Sequence, residues 1–178
     1  MYFGLSKQSK LSLDQGQFLM KRRLNELNFK VSKKITPGDG SCMFHALLDQ
    51  IQSIPDLEDY ASSHYELRWK IVSDGYKLFL ETEKLSWPDG GPDWDSKKNW
   101  KNRMLDPHEW GDEIVLSLAS NLLELDIVII PAFRESSCDQ VSGVTTIKPL
   151  ISAKHQPIHL FCFSDSDFIS PFQCLAKE

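Results

Sequence analysis

Cys42 stands directly after Asp39-Gly40-Ser41 and directly before the apolar run Met43-Phe44-His45-Ala46-Leu47-Leu48. Thr36-Pro37-Gly38 ahead of it favours turns, so the spacing predicts a loop that ends where a helix begins, with the thiol at the helix N-terminus. There the unpaired amides and the positive end of the helix dipole favour the thiolate, which is the reactive form of cysteine. Gly40 and Ser41 allow consecutive backbone amides to face an anion forming beside the sulfur, as an oxyanion hole requires. The chemistry indicated is nucleophilic attack on a carbonyl. A cysteine buried after a loop for packing alone shows the same pattern, and the loop by itself leaves both readings open.

A thiol nucleophile needs a base, normally a histidine held by a third polar group. His159, the candidate base, lies in the apolar run 158–163 and shares a strand face with Phe161 and Phe163, a setting that equally suits a core or edge histidine. His155 precedes Gln156-Pro157 in a loop, and His45 follows Cys42 by three residues, on the neighbouring turn of a helix. His64 and His108 belong to no motif. His155, His159 and Cys162 are close in sequence, with Cys138 upstream, but His159 and Cys162 are an odd number apart on a strand and point to opposite faces. No metal site and no cofactor are expected.

Asp-Gly-Ser-Cys-Met-Phe-His at 39–45 resembles the signature of the ovarian tumour (OTU) family of cysteine peptidases, an Asp-Gly-x-Cys loop followed by an aromatic and a basic residue. A second block is similar to the Trp-Gly helix of that family and the strand after it. It runs from Trp110-Gly111-Asp112-Glu113-Ile114 through Asn121-Leu122-Leu123 to Asp126-Ile127-Val128-Ile129-Ile130. The two blocks fall in the family's order, and the resemblance extends from about residue 31 to the C-terminus. It implies an α+β, papain-like OTU fold, a small central mixed β-sheet flanked by helices with the nucleophile at a helix N-terminus. It also implies Cys42 as nucleophile, Asp39 beside it in the catalytic loop, Gly40 and Ser41 in the oxyanion loop, and ubiquitin or a ubiquitin-like protein as partner.

The chain departs from the family at the base. OTU peptidases carry their histidine just after the last strand, followed by an aromatic residue, whereas residues 164–175 here read Ser-Asp-Ser-Asp-Phe-Ile-Ser-Pro-Phe-Gln-Cys-Leu with no histidine. In one register Asp167-Phe168 replaces His-aromatic. In the other, Pro171-Phe172-Gln173-Cys174-Leu175 stands where His-Tyr-Gln-Ser-Leu is expected, which matches more positions and replaces the histidine with Pro171. Proline cannot exchange a proton, and an ordinary aspartate is too weak a base to activate a thiol well.

The composition sets outer bounds. The chain has 178 residues and a formal net charge of −5, the size of one ordinary domain and the wrong charge for a general nucleic-acid binder. Lys21-Arg22-Arg23 and Lys33-Lys34 form only a local basic patch. No run approaches the roughly 18 apolar residues that would span a membrane, and residues 1–7 lack the apolar core of a signal peptide. Four cysteines without a Cys-x-x-Cys pair fit a reducing compartment. The expectation is an intracellular, cytoplasmic monomer that contacts neither membrane nor nucleic acid.

Periodicity supplies the elements. A helix is expected from Cys42 to near Ile54-Pro55, a second over about 61–83 with Leu67, Ile71, Leu78 and Phe79 on one side, and a third over about 112–123 with Asp112 as N-cap. Strands are expected at 127–130, 144–148 and 158–163, with a polar loop at 134–143. The Trp87–Trp94 segment, rich in Pro and Gly, reads as a loop that contacts a partner. Residues 1–30 read as an N-terminal extension expected to be helical, and 31–178 as a single globular domain. Three functions fit: an OTU-like deubiquitinase, a degenerate OTU pseudoenzyme that binds ubiquitin without cleaving it, and a structural domain that has lost both roles.

Overall fold

Helix α1 (Cys42–Ile51) forms because the residues after the loop place an apolar group on nearly every side. Met43, Phe44, Ala46, Leu47 and Ile51 are all buried. A helix apolar on so much of its circumference must be sandwiched. α1 packs between a β-sheet and a second helix, α2 (His64–Glu81). The computed structural model describes residues 22, 24–27, 29–31, 39–81, 94–131, 144–162, 164–165, 168–169 and 173–177.

The start of α2 carries a signature that the apolar period alone does not show. Ser63 Oγ accepts from the Glu66 amide at 3.2 Å, and the Glu66 carboxylate accepts from the Ser62 amide at 2.8 Å. Together they make a variant of the capping box. Lys70 and Ser62 hold the Glu66 carboxyl down at about 2, below the ordinary carboxylate range. The buried side of α2 is Leu67, Ile71, Val72 and Tyr76, with Leu78 half-buried, and the side chain of Phe79 lies outside the described residues. Gly75 faces α4 (Glu113–Leu123), where a Cβ would lie 2.9 Å from Leu118 Cβ; the two helices approach closely because this position has no side chain.

Between them lies α3 (Trp94–Met104), which the sequence reading leaves unassigned. Its sequence is mostly Asp, Ser, Lys, Asn and Arg, and only Trp100 and Met104, one turn apart, are seen to be buried. With apolar residues only at 94, 100 and 104, the sequence of this segment shows no helical period. The 82–93 stretch, most of the proposed partner-contacting loop, lies outside the described residues. α4 starts as expected: Asp112 Oδ1 accepts from the Val115 amide at 3.0 Å, while Oδ2 accepts from Trp100 Nε1 at 2.8 Å.

The main sheet has five strands in the order β1-β7-β4-β2-β3. These are β1 (Phe29–Val31), β2 (Ile127–Pro131), β3 (Thr145–Ile147), β4 (Ile158–Cys162) and β7 (Gln173–Lys177); β5 (Ser164–Asp165) and β6 (Phe168–Ile169) form a separate pair. β2 and β4 run parallel and the other pairings are antiparallel, so the sheet is mixed and the class is α+β. Ile127 pairs with Ile158 and Ile129 with Leu160, and these side chains face the helices. The expected strands at 127–130, 144–148 and 158–163 are β2, β3 and β4, each trimmed or shifted by a residue or so. β1 and β7 are additional. β1 straddles the boundary drawn at residue 30, and Leu24 ahead of it, in a helical turn, is 1% exposed, so part of the supposed extension belongs to the core. Among the described residues no helix is long and apolar enough to cross a membrane.

Asp112 serves two elements at once. Asp112→Ala is expected to lower unfolding free energy by about 2–4 kcal/mol, the loss of an N-cap plus the loss of the acceptor for a buried indole N–H. Asp112→Asn, which keeps one acceptor oxygen, should lose less. Urea unfolding of the two variants side by side checks this.

Candidate active site

Cys42 is the first residue of α1, and it is 1% exposed. The loop ahead of it is bound into itself: Asp39 Oδ1 accepts from the Ser41 amide at 2.9 Å, and the Asp39 carbonyl accepts from the Cys42 amide at 3.2 Å. Two of the amides at the helix entrance are thus committed to Asp39 in this state. An oxyanion hole built from them needs the loop to turn them outward. Asp39, with its side chain about half exposed, accepts from both amides.

What holds the loop from behind is Arg68 of α2, a residue for which the sequence offered no motif. Its guanidinium is 2% exposed and stacks over Phe44 of α1 at 4.1 Å. Nη2 donates to the Gly40 carbonyl at 2.7 Å, to Ser41 Oγ at 3.3 Å and to the Glu109 carbonyl at 2.9 Å; Nη1 donates to the Met104 and Asp106 carbonyls, each at 2.8 Å. Ser41 Oγ in turn donates to the Pro107 carbonyl at 2.9 Å. One cation therefore ties the nucleophile loop to the 104–109 loop. Burial pulls the Arg68 group below the ordinary guanidinium range, opposed by Asp106, Asp39, Cys42 and Glu109.

The glycines belong to the same construction. A Cβ at Gly40 would lie 2.2 Å from the His108 carbonyl oxygen, and one at Gly111 would lie 2.5 Å from Met43 Sδ. Gly40 lets the two loops touch, and Gly111 lets the Trp-Gly block sit against α1. His108 thus has a place in the site through its backbone.

The histidines lie in the elements that the sequence indicated for them, but they are not gathered at one place. His159 lies on β4 with half-buried His159 and Val128 paired on the sheet face opposite Ile158 and Leu160, and its ring meets Phe29 at 4.8 Å. α1 packs on the Ile158–Leu160 face, so the sheet lies between His159 and the helix that begins with Cys42. The His155 amide donates to the Glu124 carbonyl at the end of α4. His45 instead turns toward Asp39, with Nε2 3.9 Å from Oδ2, and its ring stacks on that of His64 at 3.7 Å. No spacing in the sequence links residues 45 and 64, since the contact exists only because α1 and α2 pack together. Pro171, Asp167 and Cys138 lie outside the described residues. Among the described residues, no three of His, Cys, Asp and Glu are grouped so that they could hold a metal ion.

Residues 37–161 match the family model described as OTU-like cysteine protease. OVARIAN TUMOR DOMAIN-containing deubiquitinating enzyme 10 of Arabidopsis thaliana is 24% identical over 117 residues, covering 66% of this chain and 29% of that protein. The chain thus spans less than a third of the length of that relative. Among solved structures, the OTU domain of OTUD1 superposes with a TM-score of 0.56 at 17% identity, covering 90% of this chain and 94% of that one. The Hazara virus OTU bound to ubiquitin gives 0.55 at 21% identity, over 83% and 80% of the two chains.

Arg68→Met keeps an unbranched apolar stem, shorter than the arginine, and removes every donor. Because each buried carbonyl deprived of its partner costs about 1–3 kcal/mol, this change is expected to lower unfolding free energy by more than about 3 kcal/mol. Arg68→Lys should recover only part of the loss, since an ammonium cannot reproduce the planar fork. Urea unfolding midpoints distinguish the three proteins, and equal midpoints for wild type and the Arg68→Met variant would remove Arg68 from the centre of the site.

Proposed function

Because this chain belongs to the OTU-like cysteine protease family, we propose that it acts on ubiquitin or a ubiquitin-like modifier through Cys42. The observation that carries the reading is the placement of Cys42 as the first residue of α1, beside an Asp39-Gly40-Ser41 loop pinned by a buried guanidinium. In the proposed reaction the Cys42 sulfur attacks the carbonyl carbon at the C-terminal glycine of the modifier. The loop from Asp39 turns its amides toward the developing oxyanion. As the C–N bond breaks, the proton given up by the thiol passes to the leaving amine, and water then adds to the thioester, releasing the modifier as its carboxylic acid and restoring the thiol. The ubiquitin-bound Hazara virus OTU shares the fold and supports ubiquitin as the partner.

The base decides between this reading and a second. No histidine occupies 164–175, and His159 lies across the sheet from α1, which favours a chain that binds ubiquitin and cleaves it slowly or not at all. The register that places Pro171 at the base position gains support from the fold. Pro171 comes two residues before β7, and β7 packs against α1, whereas Asp167 falls between β5 and β6, which pair apart from the main sheet.

Ubiquitin-chain cleavage by the wild type, with Cys42→Ala as the blank, tests the reading. Pro171→His is expected to raise the rate by about 10²–10⁴-fold, the usual range for general-base assistance, and Asp167→His to leave it near wild type. Binding of ubiquitin without cleavage in the wild type, together with this gain in the Pro171→His variant, identifies the degenerate form. Absence of both binding and cleavage in all four proteins would sink the proposal.

A further inference from the structure

His45 and His64 come from different helices and stack with ring centroids 3.7 Å apart and planes 28° from parallel. Two imidazolium rings cannot sit face to face at that distance without strong repulsion, so near neutral pH the pair carries at most one proton. The charged groups around it decide which ring takes that proton. Asp39, from the loop ahead of α1, presents Oδ2 to His45 Nε2 at 3.9 Å. Arg68, one turn along α2, faces His64 as a permanent cation and is itself met by Asp106 and Glu109 from the 104–109 loop. Tyr65 adds an uncharged ring at 3.9 Å from His64. Burial first and His45 next hold His64 below the ordinary imidazole range, with Asp39 opposing them. A carboxylate thus faces His45 and a guanidinium acts on His64, so a positive charge is better matched on the His45 ring.

His45 is one turn along α1 from Cys42, where side-chain neighbours on a helix lie about 5–6 Å apart. Helical side chains lean toward the N-terminus, and His45 does so, since its ring reaches back to Asp39. We propose that His45, oriented by Asp39 and backed by the neutral ring of His64, is a positioning residue that places a titratable positive charge beside Cys42 and sets the fraction of thiolate. The inference rests on the reading of Cys42 as the nucleophile. It gives this chain, which has no histidine at 164–175, a charge partner for the sulfur from within its own helix. The sign follows from electrostatics: the thiolate is favoured while His45 is protonated, and the advantage disappears as pH rises through the titration of the imidazole. His64 enters the effect through geometry, because two charged rings stacked at 3.7 Å repel.

The test is the pH dependence of Cys42 alkylation by iodoacetamide from pH 5.5 to 9, followed by mass spectrometry of the Cys42 peptide, with the other three cysteines as internal references. In His45→Gln the rate at pH 6 is expected to fall by about ten-fold relative to wild type, the effect of one charge at this separation in a medium of intermediate dielectric. The two proteins should converge near pH 9, where the imidazole is neutral in either case. His64→Gln should extend the advantage of wild type to higher pH. A purely structural role for His45 would shift the rate by the same factor at every pH, and that result overturns the inference, as does superposition of the two profiles. Circular dichroism establishes that the variants are folded, as expected for a partly exposed pair. If Cys42 in folded wild-type protein resists alkylation across the whole range, the nucleophile reading itself fails along with the inference. Equal profiles with a reactive Cys42 remove the inference alone.

Discussion

A guanidinium taken out of water must meet acceptors in place of its hydration, and the carbonyls around Arg68 engage both of its terminal nitrogens, while the buried Nε meets no acceptor among the described residues. They come from two segments far apart in sequence, the nucleophile loop at Gly40 and the 104–109 loop that leads into the Trp-Gly block. Neither segment has regular structure to satisfy its own carbonyls. A planar fork with donors in fixed directions satisfies both together. The entrance of α1 is therefore positioned by α2, and the geometry of the candidate nucleophile depends on how these helices pack.

That dependence explains why several small or awkward residues occur where they do. Gly75 brings α2 close to α4, Gly40 brings the nucleophile loop onto the His108 backbone, and Gly111 admits Met43 of α1. Phe44, which would otherwise serve only as a core residue, offers its ring to the guanidinium. The same packing that lets Arg68 reach the loop carries His64 to His45. Support for the loop and electrostatic control beside it thus come from two residues four apart on one helix, reading the same site from a shared face.

The sheet contributes on the other side. β4 and β2 present Ile158, Leu160 and Ile127 to the helices, and β7 enters between β1 and β4 so that the C-terminal segment is joined to a strand formed before α1. In the loop itself, the Ser41 and Cys42 amides are bound to Asp39. The Cys42 side chain is buried behind these engaged amides, so the loop and the start of α1 form one hydrogen-bonded unit.

The helix beginning at Cys42, the helix capped by Asp112 and the strands β2, β3 and β4 were legible in the sequence, because each is dictated by local signals: a loop-to-apolar transition, an N-cap residue, and short β-branched runs. The family resemblance was legible for the same reason, since its two motifs are contiguous. α3 was not, as its sequence has few apolar residues among many polar ones, and neither were β1 and β7, three- and five-residue strands whose existence depends on pairing across most of the chain. Arg68 looked like one more charged residue on an amphipathic helix, and His64 belonged to no motif. Their roles arise from contacts between residues 19 to 41 positions apart, which no local period encodes. Residue types and spacing determined which atom could be a nucleophile; tertiary packing decided which charges surround it, because electrostatic neighbours are set by distance in space and not along the chain.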